Sequence, residues 1–200
     1  MSVTTDIRDR ILDAAVEMIE SGGEASVRVT QIAEKVGVTQ PALYHHFKDR
    51  SALVTAAYVR WFERHLLMDI PPSQTIKTVV TRDDYIQRFR ETIAWGLTPD
   101  RRYSRSVRVA VLGAAQTNPQ LRAELNRINH AFFLSIADNI RIGQENGWAR
   151  ADIDPLATAY WLNGQVTARF IAEMNDDEVD LDLWNDVSAK AVFALLGFEY

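Results

Sequence analysis

The sequence predicts an all-α protein, and three observations carry the prediction. Apolar residues recur at helical spacing along most of the 200 residues. The nine Gly and six Pro sit at the ends of these stretches, not in a strand–turn rhythm. Cap chemistry, a Ser, Thr, Asp or Asn followed by Pro or an acid, recurs at their starts.

Each element follows in order. Ile7, Ile11, Ala15 and Met18 or Ile19 form one apolar stripe, stopped by Gly22-Gly23. Ile32, Ala33 and Val36 define a short helix over 30–36, stopped by Gly37. A third helix starts near Thr39 or Gln40, with Pro41 in its first turn, where the missing N–H costs nothing. Asp49 is the expected N-cap of a long fourth helix through Leu53, Ala57, Trp61 and Leu66. Ile70-Pro71-Pro72-Ser73 breaks that helix, and the segment to Val80 is the expected loop. Val79-Val80 is too short for a strand. Thr81 with Asp84 reads as a capping box with Asp in place of Glu. Thr98-Pro99, Asn118-Pro119 and Asp154-Pro155 each pair a cap with Pro at the first helical position. Helices are expected over 82–96, 99–117, 119–146, 155–175 and 181–197.

Composition bounds the function. Apolar residues make up 47 % and charged residues 24 %, as in a folded globular chain that can bury a core. No cysteine is present, which excludes disulfides, zinc–thiolate sites, iron–sulfur clusters and cysteine nucleophiles. Charges interrupt the apolar positions of residues 1–20, so these do not read as a secretory signal. No apolar run approaches the roughly 18–20 residues of a membrane span. A cytoplasmic protein with no membrane partner is expected. No Gly-rich phosphate loop, nucleophile elbow or His-Glu zinc motif occurs, so neither an enzyme nor a cofactor is expected. His45 and His46 are adjacent, not at the i, i+3 or i+4 spacing of helical metal ligands, so no metal is expected.

Net charge is −5, which alone weighs against nucleic acid as a partner. Local charge differs. Residues 28–50 hold Arg28, Lys35, Lys48 and Arg50 against Glu34 and Asp49, whereas residues 173–186 hold seven acids and no base. A polyanion would bind the N-terminal quarter.

That quarter contains two short helices joined by Gly37-Val38-Thr39, the pattern of a helix-turn-helix. Ala33, Val38, Leu43 and Phe47 occupy the positions of its internal core. The second helix would offer Thr39, Gln40, Tyr44, His45, His46 and Lys48 to a major groove. Gln pairs bidentately with adenine, and Ala or a Thr methyl touches a thymine methyl. The run Gly37-Val38-Thr39-Gln40-Pro41-Ala42-Leu43-Tyr44-His45-His46-Phe47-Lys48-Asp49-Arg50-Ser51-Ala52-Leu53 resembles the DNA-binding signature of the TetR family of bacterial repressors. The Leu-Tyr-x-His-Phe-Lys core before an Ala-Leu helix start is its diagnostic part, and about 45 residues carry the likeness.

The resemblance implies roles at matching positions. Thr39, Gln40, Pro41 and Ala42 would face bases and nearby phosphates. Tyr44 and His46 would hydrogen-bond phosphates, Arg50 would hold another, and Thr30 would read a base. The family usually has Ser or Thr at position 28, as a helix cap and phosphate contact. This chain has Arg28, which can meet a phosphate but cannot cap in the same way. The resemblance further implies a palindromic double-stranded DNA operator, a homodimer and a small-molecule effector. A head over residues 1–50, a connecting helix over 51–70 and a ligand-binding and dimerisation domain over 71–200 follow. The competing reading is an all-α small-molecule-binding or enzymatic protein whose helix-turn-helix is only structural.

The C-terminal two-thirds adds one pattern. Leu156, Tyr160, Trp161, Leu162, Val166, Phe170, Ile171 and Met174 give one helix an apolar surface wider than a single core requires. Leu181, Leu183, Trp184, Val187, Ala191, Val192 and Leu195 do the same for the last helix. Both would bury a second face in a four-helix bundle across a two-fold axis. The remaining helices would enclose the ligand. Trp95, Tyr103, Val107, Val111, Phe133, Trp161, Gln165 and Arg169 are the expected ligand-binding residues. Arg105, Arg108, Asn163 and His130 stand out as further polar groups on apolar helices.

Overall fold

The computed structural model describes residues 6–67 and 79–200. Among them, regular structure is entirely helical: α1 (Ile7–Gly22), α2 (Val29–Val36), α3 (Gln40–His46), α4 (Arg50–Leu67), α5 (Arg82–Gly96), α6 (Arg102–Ala114), α7 (Pro119–Glu145), α8 (Pro155–Glu173) and α9 (Leu181–Leu196). The all-α prediction holds, and most ends fall within two residues of expectation. The expected break at 70–73 lies outside the described residues. The expected helix over 99–117 is instead a 3-10 turn, Pro99–Arg101, followed by α6. Thr98 makes no side-chain cap bond to it; its hydroxyl donates backwards to the Trp95 carbonyl at 3.0 Å.

The chain divides into two compact units, Met1–Arg64 with Val111–Leu125, and His65–Ala110 with Asn126–Tyr200. This differs from the division expected at residues 50 and 70. The end of α6 and the start of α7 fold with the head, a long-range pairing that helical periodicity does not encode. Asn118 shows how. Its side-chain oxygen caps the Leu121 N–H at 3.0 Å, while its amide donates to the Thr55 hydroxyl on α4 at 3.0 Å.

In the first unit, α1, α2 and α3 pack on one another. Ile11, Ala15, Ile32, Ala33, Leu43, Phe47 and Leu53 are buried at their centre. Gly37 ends α2 at φ 76°, a left-handed conformation that costs a residue with a Cβ about 1–2 kcal/mol. The turn closes through the Val38 N–H to the Ala33 carbonyl at 2.9 Å. Thr39 then caps α3, and Asp49 caps α4 through the Ala52 N–H at 2.8 Å. Arg50 reaches back from α4, donating to the Val27 carbonyl at 3.1 Å and the Glu24 carbonyl at 2.6 Å. Arg60 joins α4 to α1 through Asp9 at 2.8 Å and Asp13 at 2.6 Å.

The second unit centres on Tyr85, Phe89, Ile140, Val192, Phe193, Leu196 and Phe198. Tyr85 is fully buried, and its phenol donates to the Asn139 carbonyl at 2.9 Å. A Cβ at Gly143 would press into that phenol ring, 2.8 Å from Cε1, so only glycine lets α7 approach α5 there. Beside this apolar centre lies an ionic one. Arg105 donates to the Gly96 carbonyl at 2.9 Å and the Thr98 carbonyl at 2.8 Å, and Arg169 donates to the Leu97 carbonyl at 2.8 Å. Both arginines share Glu173, Arg105 through two hydrogen bonds and Arg169 at 3.6 Å. All three side chains are at most 2 % exposed.

Two outcomes follow from these contacts. Glu173→Gln leaves two buried guanidinium groups without their shared anion and is expected to cost about 3–5 kcal/mol in denaturant unfolding. Arg50→Ala removes two carbonyl hydrogen bonds at the surface of the first unit. Its expected cost is about 1–2 kcal/mol by the same measurement, before any effect on a partner is counted.

Candidate nucleic-acid interface and apolar cavity

The turn Gly37-Val38-Thr39 sets α3 on the surface of the first unit. Leu43 and Phe47 anchor it, 0 % and 4 % exposed, while Gln40, Pro41, Ala42, Tyr44, His45 and His46 are exposed. Helix period explains the split, since residues 43 and 47 lie one turn apart on the inner face. Val38 is only half-buried. Thr39 accepts the Ala42 N–H at 3.3 Å, which leaves its hydroxyl proton for donation. No acid occurs on α3, and Arg28, Thr30 and Lys48 flank it, all exposed. Arg28 caps nothing with its side chain; its guanidinium donates to the Ala25 carbonyl. Arg50 is half-buried and already holds the Glu24 and Val27 carbonyls, with the Glu24 carboxylate at 3.7 Å. Ten of the eleven expected DNA-facing residues therefore lie exposed on or around one helix, and Arg50 is turned partly inward.

In the second unit, α5, α7, α8 and α9 enclose a cavity of about 130 Å³. Phe89, Ile93, Trp95, Phe132, Leu162 and Val166 supply most of its apolar wall; its polar groups include Arg108 from α6, Asn139, Asn163 and Gln165, with the hydroxyls of Thr92, Ser135 and Ser188. Of the eight expected ligand-binding residues, Trp95 and Gln165 line it. The other six do not. Tyr103 is exposed, edge-on to the His65 ring at 5.1 Å. Val107 is core, and Val111 belongs to the first unit. Phe133 packs with Ala137, Ala159 and the Tyr160 ring. Trp161 faces outward on α8, and Arg169 is consumed by Leu97 and Glu173. For Trp161 the difference from the cavity lining is one of helical phase. Residues 162, 163, 165 and 166 face the cavity, and residue 161 is about 100° away from residue 162.

Arg108 lines the cavity and is absent from the expected site set, although its place as a polar group on an apolar helix was the available signal. It is 2 % exposed, and burial pulls its pKa down to about 10, so it remains cationic at neutral pH. Arg101 is brought to about 10 as well, by burial first and then by repulsion from Arg108 and Arg105. Its guanidinium stacks 3.7 Å from the centre of the Trp95 ring.

The outer sides of α8 and α9 carry apolar groups. Tyr160, Trp161, Ile171 and Met174 are exposed on α8, with Ala157 and Gly164 in the same stripe. Leu183 and Val187 are exposed on α9, followed by Ala191 and Ala194. Phe170 and Leu195 are half-buried. No helix of the described residues is long and apolar enough to cross a membrane, and no group of three His, Asp or Glu among them could hold a metal.

Residues 11–57 match the family of bacterial regulatory proteins, tetR family. The transcriptional regulator UidR of Escherichia coli K12, of helix-turn-helix type, is 29 % identical over 155 residues, which is 78 % of this chain and 75 % of UidR. The class D tetracycline repressor protein of Escherichia coli is 34 % identical over 64 residues, 32 % of this chain and 29 % of that protein. A TetR-family regulator from Rhodococcus sp. superposes with a TM-score of 0.69 at 24 % identity, covering 95 % of this chain and 98 % of that one. The helix-turn-helix geometry and the matched signature identify residues 11–57 as a head of the tetR-family type, and the fold of the chain is that of TetR-family regulators.

Proposed function

We propose that the chain is a ligand-responsive repressor that binds a palindromic operator as a homodimer. The observation that carries this reading is α3, an acid-free helix whose whole outer face is hydrogen-bonding or small. In a major groove, Gln40 pairs with a base edge and Ala42 packs on a thymine methyl. Thr30 reads a base from α2. The Thr39 hydroxyl, Tyr44, His45, His46, Lys48 and Arg28 meet the flanking phosphates. Arg50 reaches a phosphate with the donors that its two carbonyls leave over.

The exposed stripes of α8 and α9 support the dimer. Isolated apolar residues on a surface need no explanation, but two adjacent helices with apolar outer faces do. Ala157, Gly164 and Ala191 let such helices approach closely across a two-fold axis, forming a four-helix bundle. Each head alone holds half an operator, and linking two raises affinity through effective concentration. The cavity shares α8 and α9 with that interface, and α4, α6 and α7 contribute residues to both units. An effector that prefers one conformer by about 1.4 kcal/mol shifts the equilibrium tenfold.

Two measurements test the reading. Gln40→Ala is expected to cost about 1–3 kcal/mol on the preferred operator and to relax discrimination at one base pair per half-site. An equal loss on every single-base variant would make Gln40 a positioning contact. Ile171→Glu, at an exposed site, is expected to leave thermal unfolding of the protomer cooperative while halving the sedimentation mass and weakening operator binding. A dimer that survives both this change and Val187→Asp would place the interface elsewhere.

A further inference from the structure

The cavity also says what kind of molecule it takes. Its wall is apolar and aromatic, yet Arg108 stands in it as the one charged lining residue, and no Asp or Glu lines it. Arg108 belongs to a buried group of arginines. Arg101, Arg105 and Arg169 are each at most 7 % exposed, and Glu173 is the one buried carboxylate among the described residues. Glu173 is held by Arg105 and Arg169, and the Nη1 of Arg169 has no hydrogen-bond partner. Arg101 stacks on Trp95, which itself lines the cavity. Around Arg108, buried arginines thus outnumber buried carboxylates among the described residues, in surroundings where charge acts at low effective dielectric.

Size narrows the choice. A cavity of about 130 Å³ is close to the ~150 Å³ that accommodates benzene in an apolar protein interior. A single ring fits. Phe89, Trp95 and Phe132 offer that ring edge and face contacts.

Resting on the reading of this cavity as the effector site, we propose that the effector is a small aromatic monocarboxylate. Its carboxylate pairs with the Arg108 guanidinium, and its ring lies among Phe89, Trp95 and Phe132. The side chains of Asn163 and Gln165 then hydrogen-bond the carboxylate or a ring substituent and fix its orientation. A planar guanidinium matches a carboxylate through two parallel hydrogen bonds, which a lysine in its place would not reproduce.

The test uses the full chain and three probes: sodium benzoate, its neutral isostere benzamide, and sodium acetate. Calorimetric titration and thermal melting report binding, and a mobility shift on the operator reports response. Benzoate is expected to bind roughly 10- to 100-fold more tightly than benzamide, the factor a charge-assisted pair supplies. Acetate, which lacks the ring, is expected to bind more weakly still. Arg108→Met is expected to erase the preference for benzoate over benzamide, and Arg108→Lys to keep part of it. If Arg108→Met does not fold, the wild-type comparison and Arg108→Lys still decide. Equal binding of benzoate and benzamide, or no binding of either at millimolar concentration, overturns the proposal. Benzoate that binds through Arg108 but leaves operator affinity unchanged keeps the ligand class and removes the effector reading. A neutral ring compound that releases the operator does the reverse.

Discussion

The second unit depends on one ionic node, in which Arg105 and Arg169 share Glu173 and cap three consecutive carbonyls, Gly96 to Thr98. The last carbonyls of a helix have no partners within it, and a buried helix end must find donors elsewhere. Here α6 and α8 supply them to the end of α5. The node fixes where α5 stops and how α6 and α8 sit against that stop. Ion pairs buried this deeply add little net stability, because desolvation offsets most of their attraction. Their contribution is register, since a shifted helix would leave a buried guanidinium or carbonyl alone. Trp95 lies one residue before the capped stretch, and Arg108 one turn beyond Arg105 on α6. Cavity polarity is thus set by the contacts that terminate α5.

Helix α8 then serves two surfaces. Leu162, Asn163, Gln165 and Val166 face the cavity, while Tyr160, Trp161, Ile171 and Met174 face outward. The outer set is apolar and the inner set half apolar, as suits surfaces buried in the proposed assembly, one by ligand and protomer, the other by a second copy. The cost of that design is an isolated protomer with an exposed hydrophobic stripe. The gain is that a ligand touching one side of a stiff helix bears on the other side without any intermediate chain of contacts.

Local chemistry made much of this legible. Caps at Thr39, Thr81, Asn118 and Asp154 make side-chain bonds at the starts the sequence marks, and Gly37 closes its turn. These features depend on residues within one helical turn, so a linear reading finds them. The helix-turn-helix was legible for the same reason, being some 30 contiguous residues. The cavity was not. Which side of α8 faces inward depends on α5, α7 and α9, which lie far away in sequence. Trp161 and Leu162 differ by about 100° around α8, a phase that no local pattern fixes. The engagement of Arg169 is equally hidden from a linear reading, because its partner carbonyl at Leu97 is 72 residues distant.

A small effector must still move a large equilibrium. Shifting a conformer ratio from 1:99 to 99:1 requires about 5.5 kcal/mol of differential binding. In the proposed dimer two equivalent cavities share that demand, about 2.7 kcal/mol each if both fill. The best small ligands reach a ceiling near 1.5 kcal/mol per heavy atom, so a one-ring acid has ample total binding energy. What limits the switch is how much of that energy differs between conformers. Apolar contact with Phe89 or Phe132 changes gradually as helices slide. A bidentate pair with Arg108 is lost within about an ångström of displacement, because hydrogen bonds weaken steeply with distance and angle. Buried charge is therefore the part of this cavity best able to tell two conformers apart. It also lies on α6, one of the three helices that contribute to both units.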